Sequence, residues 1–584
     1  MFFEQVEQNG EAPFLWAKKD GRYWPLTWRE TAAKVSELAR GLHSLGITPG
    51  DRVLLVSENR PEWLIADVAI MAAGAITVPA YATNTEADHL HVLIDSGARA
   101  AIVSSARLAE ILLPAAVKAS ALNTIIAMEK PDIAQHTGVD ILGWDDVLAN
   151  GADLHENIIA EARSLKRDAT ACIIYTSGTG GAPKGVMLHH GAILHNCAGA
   201  TDALEELGLG DEVFLSFLPL SHSYEHMAGQ FFPMSVGAQI YYAEGADTLA
   251  ANMLEARPTI MTAVPRLYET LHLRISRGVK KQGGTKERLF NKAVELGRRR
   301  YQGKRLNPVE RLIDGVLTLL VRNKVRQRFG GRLKALVSGG APLNPDIGLF
   351  FLSLGLRILQ GYGLTESAPV ISVNRPNGIK IETVGPPIKN TEVKIAGDGE
   401  ILVRGELVMQ GYWQNAEATN EAIQKGWLHT GDIGYLDEQG RLLITDRKKD
   451  IIVNSGGDNI APQRVEGILT LEPEIAQAMV FGDRRPHLVA VIVPDPDWML
   501  QWAGESGKSI ELTQLSSDDD FQKAMGKIIE QVNEGLSNIE KVRRFIIAEA
   551  PFTIENEMLT PTLKIRRHKI TGFYGERLIG LYGH

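Results

Sequence analysis

The segment Tyr175-Thr-Ser-Gly-Thr-Gly-Gly-Ala-Pro-Lys-Gly-Val186 concentrates more chemistry than any other stretch of the 584-residue chain. Thr176, Ser177 and Thr179 supply hydroxyl donors, Gly178 and Gly180 leave backbone N–H groups open, and Lys184 adds an ammonium. That combination suits the oxygens of a triphosphate. The loop follows the apolar run Ala171-Cys-Ile-Ile174, which reads as a strand. It is not a Walker A loop, because Lys184 lies between Pro183 and Gly185. Gly504-Glu-Ser-Gly-Lys-Ser509 also misses that pattern, with two residues between its glycines instead of four. Turn composition alone would make the first segment a plain loop, so its chemistry depends on partners elsewhere.

Five further segments supply partners: Val337-Ser-Gly-Gly-Ala-Pro342, Gln360-Gly-Tyr-Gly-Leu-Thr-Glu366, His429-Thr-Gly-Asp432, Asp446-Arg-Lys-Lys-Asp450 and Pro561-Thr-Leu-Lys564. In this order they resemble the motifs of the AMP-forming adenylating superfamily, which includes acyl- and aryl-CoA synthetases, peptide-synthetase adenylation domains and firefly luciferase. The resemblance runs from near the N-terminus to Lys564. Val264-Pro-Arg-Leu-Tyr268, with the basic stretch after it, is similar to the long-chain fatty acyl-CoA synthetase branch. One position departs: Gly180 stands where the family has a second threonine, removing one hydroxyl donor to the phosphates.

The resemblance implies ATP-dependent activation of a long-chain fatty acid to acyl-AMP, then thioester formation with coenzyme A, releasing pyrophosphate and AMP. A carboxylate attacking the α-phosphorus is already ionised near neutral pH, so positioning and charge cancellation carry the catalysis. By resemblance, Lys564 bridges the carboxylate and the phosphate, Thr365 bonds the α-phosphate, and Glu366 with Thr176 holds Mg²⁺. Thr176, Ser177, Gly178, Thr179, Gly180 and Lys184 cradle the outer phosphates. Gly340, Ala341, Pro342, Gly361, Tyr362 and Gly363 form the adenine pocket, while Asp432 and Arg447 take the ribose. His222, in Pro219-Leu-Ser-His222, belongs beside the substrate carboxylate, although a buried, satisfied histidine fits the same position. Lys449 marks a hinge, and Gly456 and Gly457 let pantetheine pass. Trp413 and Tyr412 are read as packing residues, and the apolar run from His226 to Ala238 as a wall of the acyl tunnel.

These residues need a scaffold, and the hydrophobic pattern supplies one. Arg52–Ser57, Ala75–Pro79 and Ala100–Ser104 read as strands, with a helical pattern from Pro61 to Ala73 between the first two. Strand, helix, strand at this spacing predicts βαβ units and a mostly parallel sheet. The expected fold class is α/β: a large N-terminal domain over residues 1–446 with mostly parallel sheets flanked by helices, then a small mobile α+β domain over 447–584. Residues 271–329 stand apart, with 17 Lys and Arg against four acids. Apolar residues recur there at helical spacing, as in Leu312, Val316, Leu319 and Leu320. Solvated helix faces explain such a stretch, and so does a surface that meets polyanions or anionic lipid headgroups.

Composition excludes several classes. Hydrophobic residues make up 44% and charged residues 23%, as in an ordinary globular protein rather than a disordered chain. The net charge of −8 and the lack of aromatic residues interleaved with the basic stretch give no nucleic-acid signature. Two cysteines, Cys172 and Cys197, build neither a disulfide framework nor a zinc site, which fits a cytoplasmic protein. The N-terminus has no basic-then-apolar pattern, so no signal peptide is expected. Val68–Thr85 and His226–Ala243 lack charge but contain Gly or Pro, and are read as buried core. The expected partners are fatty acid, ATP and CoA, with peripheral contact to the inner face of a membrane and a homodimer as further options. Three alternatives stay open: an acyl-AMP ligase serving a carrier protein, a weakly catalytic lipid- or nucleotide-binding relative, and a membrane-surface scaffold.

Overall fold

The strands Arg52–Val56, Ile76–Ala80 and Ala100–Val103 form the centre of an eight-stranded sheet. Val53 and Leu55 enter the core on one face, Leu54 and Val56 that on the other, so the strand is apolar at every position after Arg52. A parallel strand covered on both sides requires this pattern, and it made the strand readable in the sequence. The structure, a computed structural model, describes every residue except 133–137, 177–181, 246, 561–563 and 584. The order in this sheet runs Gly411–Tyr412, Lys184–His189, Thr170–Thr176, Ile76–Ala80, Arg52–Val56, Ala100–Val103, Thr124–Ala127, Asp140–Gly143. It is parallel from Thr170–Thr176 onward; Lys184–His189 turns back antiparallel on Thr170–Thr176.

A second eight-stranded sheet packs against the same central core. Its parallel part links Pro13–Lys19, Gln239–Tyr242, Val213–Ser216, Ile260–Ala263, Ala335–Ser338 and Ile358–Gly363. Val370–Val373 closes one edge antiparallel to Ile358–Gly363. The two stretches without charge are core, as expected. Val68–Thr85 runs from the buried helix Pro61–Ala72 into Ile76–Ala80, and His226–Ala243 from a π-helical turn, His226–Phe231, into Gln239–Tyr242.

A third sheet is antiparallel: Glu392–Ile395, Glu400–Arg404, Trp427–Leu436 and Ile423–Gln424, with Leu442–Arg447 against Trp427–Leu436. Beyond Arg447 the chain builds a smaller α+β unit around Ile475–Phe481, Leu488–Pro494 and Val542–Ile547. Leu488, Ala490 and Ile492 face one core of this unit and Val489, Val491 and Val493 another. The basic stretch folds into the helices Pro265–Gln282, Gly284–Tyr301, Pro308–Leu317 and Asn323–Arg328, with a π-helical turn at Thr318–Arg322. The helical spacing seen in the sequence is present, and Leu312, Val316, Leu319 and Leu320 face solvent.

Candidate active site

Ile358–Gly363 ends in Gly361-Tyr362-Gly363, at the carboxyl end of its sheet. Gly363 has no alternative there: a Cβ on it would lie 1.7 Å from the carbonyl oxygen of Pro369 on the neighbouring strand segment. The close approach orients Tyr362, whose Oη donates to Oδ2 of Asp432 at 2.6 Å. Asp432 sits on Trp427–Leu436 directly opposite Arg447 in the antiparallel register, and Arg447 Nε reaches its Oδ1 at 3.2 Å. Burial pushes the Asp432 carboxyl up, against the pull of Arg447, the Tyr362 hydroxyl and Lys564. Burial and the adjacent Asp432 carboxylate hold the Tyr362 phenol well above its ordinary value. The result is an oriented acceptor for a diol, flanked by an aromatic face and a guanidinium.

The segment Val337–Pro342 is pinned from below. Tyr224 Oη donates to the carbonyl oxygen of Val337 at 2.9 Å, and Tyr268 Oη to the same oxygen at 3.3 Å. Tyr268 thereby ties the start of the basic helices to the pocket. Gly340 follows with φ +80°, a left-handed conformation that glycine adopts without strain. Ala341 and Pro342 continue it as exposed backbone.

Thr365 and Glu366 lie on the short 3₁₀ turn Thr365–Ser367. Thr365 Oγ1 and Ser223 Oγ are 3.0 Å apart. Glu366 Oε1 accepts from Tyr412 Oη at 2.8 Å, and the Lys184 ammonium stands 5.1 Å from the centre of the Tyr412 ring. Thr176 ends its strand paired with Lys184 across the ladder. His222 Nδ1 accepts the Tyr224 backbone N–H at 3.2 Å, which leaves the ring proton on Nε2. Burial, reinforced by the Lys564 charge, pushes its imidazole down to about 3, so His222 is neutral near pH 7.

Lys564 enters from the smaller unit. Its backbone N–H donates to Thr560 Oγ1 at 3.0 Å. The lost hydration of a crowded site and the Arg447 charge pull its ammonium down to about 8, opposed by Asp432 and Glu366. These mutual influences place Lys564 in the same electrostatic cluster as Asp432, Arg447, Glu366 and His222. A residue 132 positions beyond Asp432 in the chain is thereby brought to the site from a separate core.

The structure thus assembles Thr365, Glu366, His222, Tyr362, Asp432, Arg447 and Lys564, with Thr176 and Lys184 on the adjoining hairpin. Ser177, Gly178, Thr179 and Gly180 lie outside the described residues. Lys449 is exposed in the turn after Leu442–Arg447, and Gly456 and Gly457 in an exposed turn where Asn454 Oδ1 accepts from Gly456 N and Asp458 N, each at 2.9 Å. Trp413 packs as expected, its Nε1 donating to the Asp95 carbonyl at 2.9 Å. Tyr412 does more than pack: it orients Glu366. Sequence gave no sign of this, since 46 residues separate the two. Ser223 and Tyr224 were also missed, although they directly follow His222 in the chain.

The site also bears on Mg²⁺. Among the described residues no group of three or more His, Cys, Asp or Glu could hold a metal by itself. Glu366 offers a single oriented carboxylate, which fits an ion that binds chiefly through substrate phosphates and retained water.

The sequence model of the AMP-binding enzyme family matches residues 2–413, and that of the AMP-binding enzyme C-terminal domain matches residues 449–583. The chain belongs to the AMP-binding enzyme family. Among curated proteins it is 34% identical to the long-chain-fatty-acid--CoA ligase FadD15 of Mycobacterium bovis, over 100% of this chain and 96% of that protein. It is 33% identical to the peroxisomal long chain acyl-CoA synthetase 7 of Arabidopsis thaliana, over 100% of this chain and 85% of that one. Among solved structures it is similar in fold to the A domain of carboxylic acid reductase from Segniliparus rugosus, determined with AMP and a co-purified carboxylic acid. The TM-score is 0.77 at 22% identity, covering 100% of this chain and 93% of that one.

Proposed function

We propose that the protein is an ATP-dependent long-chain fatty acid:CoA ligase that works through an acyl-adenylate. The observation that carries this reading is the convergence of Lys564 with Asp432, Arg447, Glu366 and His222, because it brings a cation from the C-terminal unit to an oriented diol acceptor. The long-chain and CoA specificities rest on the names of the relatives at 33–34% identity.

In the first step the fatty-acid carboxylate oxygen forms a bond to the α-phosphorus and the bond to the β-phosphate oxygen breaks, releasing pyrophosphate. Asp432 accepts the ribose hydroxyls and Tyr362 lies against adenine. Thr365 donates to the α-phosphate, and Lys184 and Thr176 meet the outer phosphates. Lys564 spans the incoming carboxylate and the phosphate as a cation. Glu366, oriented by Tyr412, would hold Mg²⁺, which when bound offsets phosphate charge. His222 stays neutral and brings no competing positive charge to Lys564. In the second step the CoA thiol attacks the acyl carbon, AMP leaves, and the thiol proton passes to solvent. One crevice serves both steps when residues 447–584 turn about Lys449, withdrawing Lys564 and bringing Gly456 and Gly457 toward the pantetheine. The same proposal places the enzyme in the cytoplasm with peripheral contact to a membrane. Among the described residues no helix is long and apolar enough to cross one.

The test is pyrophosphate release with ATP·Mg²⁺ across short-, medium- and long-chain acids, benzoate and acetate, with and without CoA. Release with long chains that CoA accelerates, together with thioester formation, is expected. Release that CoA never accelerates would overturn the CoA assignment in favour of a carrier-protein acceptor. No release with any acid would overturn the ligase reading. Lys564→Ala should abolish adenylation yet leave thioester formation from supplied acyl-AMP intact.

A further inference from the structure

One short helical stretch turns six large apolar side chains toward solvent. Val309, Leu312, Ile313 and Val316 lie on Pro308–Leu317, and Leu319 and Leu320 on the π-helical turn Thr318–Arg322 that continues it. Leu312, Leu319 and Val309 are 73%, 67% and 66% exposed, more than nearly every other large apolar side chain described. Their spacing gathers them on one face. The opposite face already holds the stretch to the protein body: Leu317 and Val321 enter the core, and the Arg322 guanidinium meets Asp314 at 2.7 Å. The element is therefore anchored by one side and presents a second apolar stripe. Scattered exposed leucines are ordinary, but a contiguous stripe marks an interaction surface.

The surrounding charge selects the occupant. Lys304, Arg305, Arg311, Lys324 and Arg328 are exposed around the stripe. The two acids of the stretch are already engaged: Glu310 with Arg299, and Asp314 with Arg322 and, at 3.0 Å, Arg300. An apolar stripe with a cationic rim complements an anionic bilayer, with the leucines at the acyl boundary and the basic groups among the headgroups. A second copy docking through the same patch would set cation against cation.

We propose that the Val309–Leu320 stripe seats the enzyme on an anionic lipid bilayer, lying in the interface rather than crossing it. The inference rests on the peripheral membrane contact proposed above and names the surface that makes it. Fatty acid dissolved in that bilayer would then be drawn from the phase where it is most concentrated.

The experiment is flotation of the full chain with vesicles of phosphatidylcholine alone or with one quarter phosphatidylglycerol, at low and high salt. Wild-type protein is expected to float with the anionic vesicles, weakly with the neutral ones, and less in high salt. Leu312→Glu/Leu319→Glu should lower the partition coefficient at least about 10-fold. Lys304→Glu/Arg305→Glu/Arg311→Glu should lower it by about fivefold or more for each cation removed. Both variants should keep the wild-type rate of acyl-CoA formation from submicellar dodecanoate, which separates lost docking from lost folding. Wild-type protein that ligates dodecanoate but ignores anionic vesicles would overturn the proposal. So would binding that both variants retain, or a wild-type dimer that Leu312→Glu/Leu319→Glu dissociates while neither protein floats. Vesicle binding with the expected variant pattern but without ligation of any acid would leave the docking surface standing and refute the ligase reading instead.

Discussion

Arg277, on the helix Pro265–Gln282, reaches across to the C-terminal unit. Its Nη1 meets Asp497 Oδ2 at 2.7 Å, and its Nη2 meets Asp495 Oδ1 at 3.0 Å and donates to the Pro473 carbonyl at 3.2 Å. Asn344 Nδ2 adds a bond to the Gly467 carbonyl at 3.1 Å. These contacts exist in the arrangement that brings Lys564 to the site, and the proposed rotation about Lys449 would break them. Arg277→Ala is therefore expected to favour the thioester-forming arrangement. The Arg277 side chain is 41% exposed and Asp497 77%, so each ion pair contributes only ~0.2–1 kcal/mol. With the carbonyl bond at ~1 kcal/mol, the total is about 1.4–3 kcal/mol, whose lower end is already roughly a tenfold shift in the conformational equilibrium. An enzyme poised at roughly 10:1 toward adenylation would move to roughly 1:1. Adenylation occupancy would then fall about twofold and thioester-competent occupancy would rise about fivefold. The assays are ATP–pyrophosphate exchange for the first half-reaction and CoA capture of synthetic acyl-AMP for the second. Opposite changes in the two rates, with Arg277→Lys between variant and wild type, are expected. Equal loss in both rates, or no change in either, would refute the idea that Arg277 latches the adenylating arrangement.

In the proposed mechanism Lys564 acts as a cation, and burial and the Arg447 charge pull its ammonium down to about 8, so adenylation kcat/KM should be flat below that pH and fall about tenfold per pH unit above it. Lys564→Arg, whatever its absolute rate, should remain flat through the same window; an identical decline in both proteins would assign the titration elsewhere. Tyr412→Phe removes the bond that orients Glu366, a hydrogen bond to a charged group contributing ~1.5–3 kcal/mol, and should raise the KM for ATP·Mg²⁺ several-fold with little change in the KM for fatty acid. Equal change in both constants would argue for a general packing role. Gly363→Ala forces a Cβ into the Pro369 carbonyl and should cost more than about 3 kcal/mol in urea denaturation, together with most nucleotide affinity. Wild-type stability in that variant would show that the two strands can separate at no cost.

Strands covered on both faces were legible because they carry an unbroken apolar run, as in Val53–Val56 and Leu488–Pro494. The third sheet was not. Glu392–Ile395 alternates exposed Glu392 and Lys394 with half-buried Val393 and Ile395 because that edge of the sheet meets water, and so short a mixed strand resembles a loop. Site residues were legible where they share a short segment, as Thr365 and Glu366 do. Tyr412 was read as packing because its partner, Glu366, is close only through folding. The stripe from Val309 to Leu320 illustrates a further limit. Helical periodicity shows that apolar residues share a face, but a face turned to the core and one turned to solvent produce the same spacing. The deciding residues, Leu317 and Val321, lie on the other side of the same element.

The rung that joins Asp432 to Arg447 has a consequence for how such a catalyst can diversify. The carboxylate proposed to take the sugar and the last strand residue before the proposed pivot are bonded directly, so in that mechanism the fulcrum is surveyed from the nucleotide. The nucleotide is the same for every acid the enzyme activates. A pocket for longer, shorter or bulkier acids could therefore be recarved elsewhere without recalibrating the swing that delivers Lys564. Substrate range and mechanical stroke become separately adjustable parts of one machine.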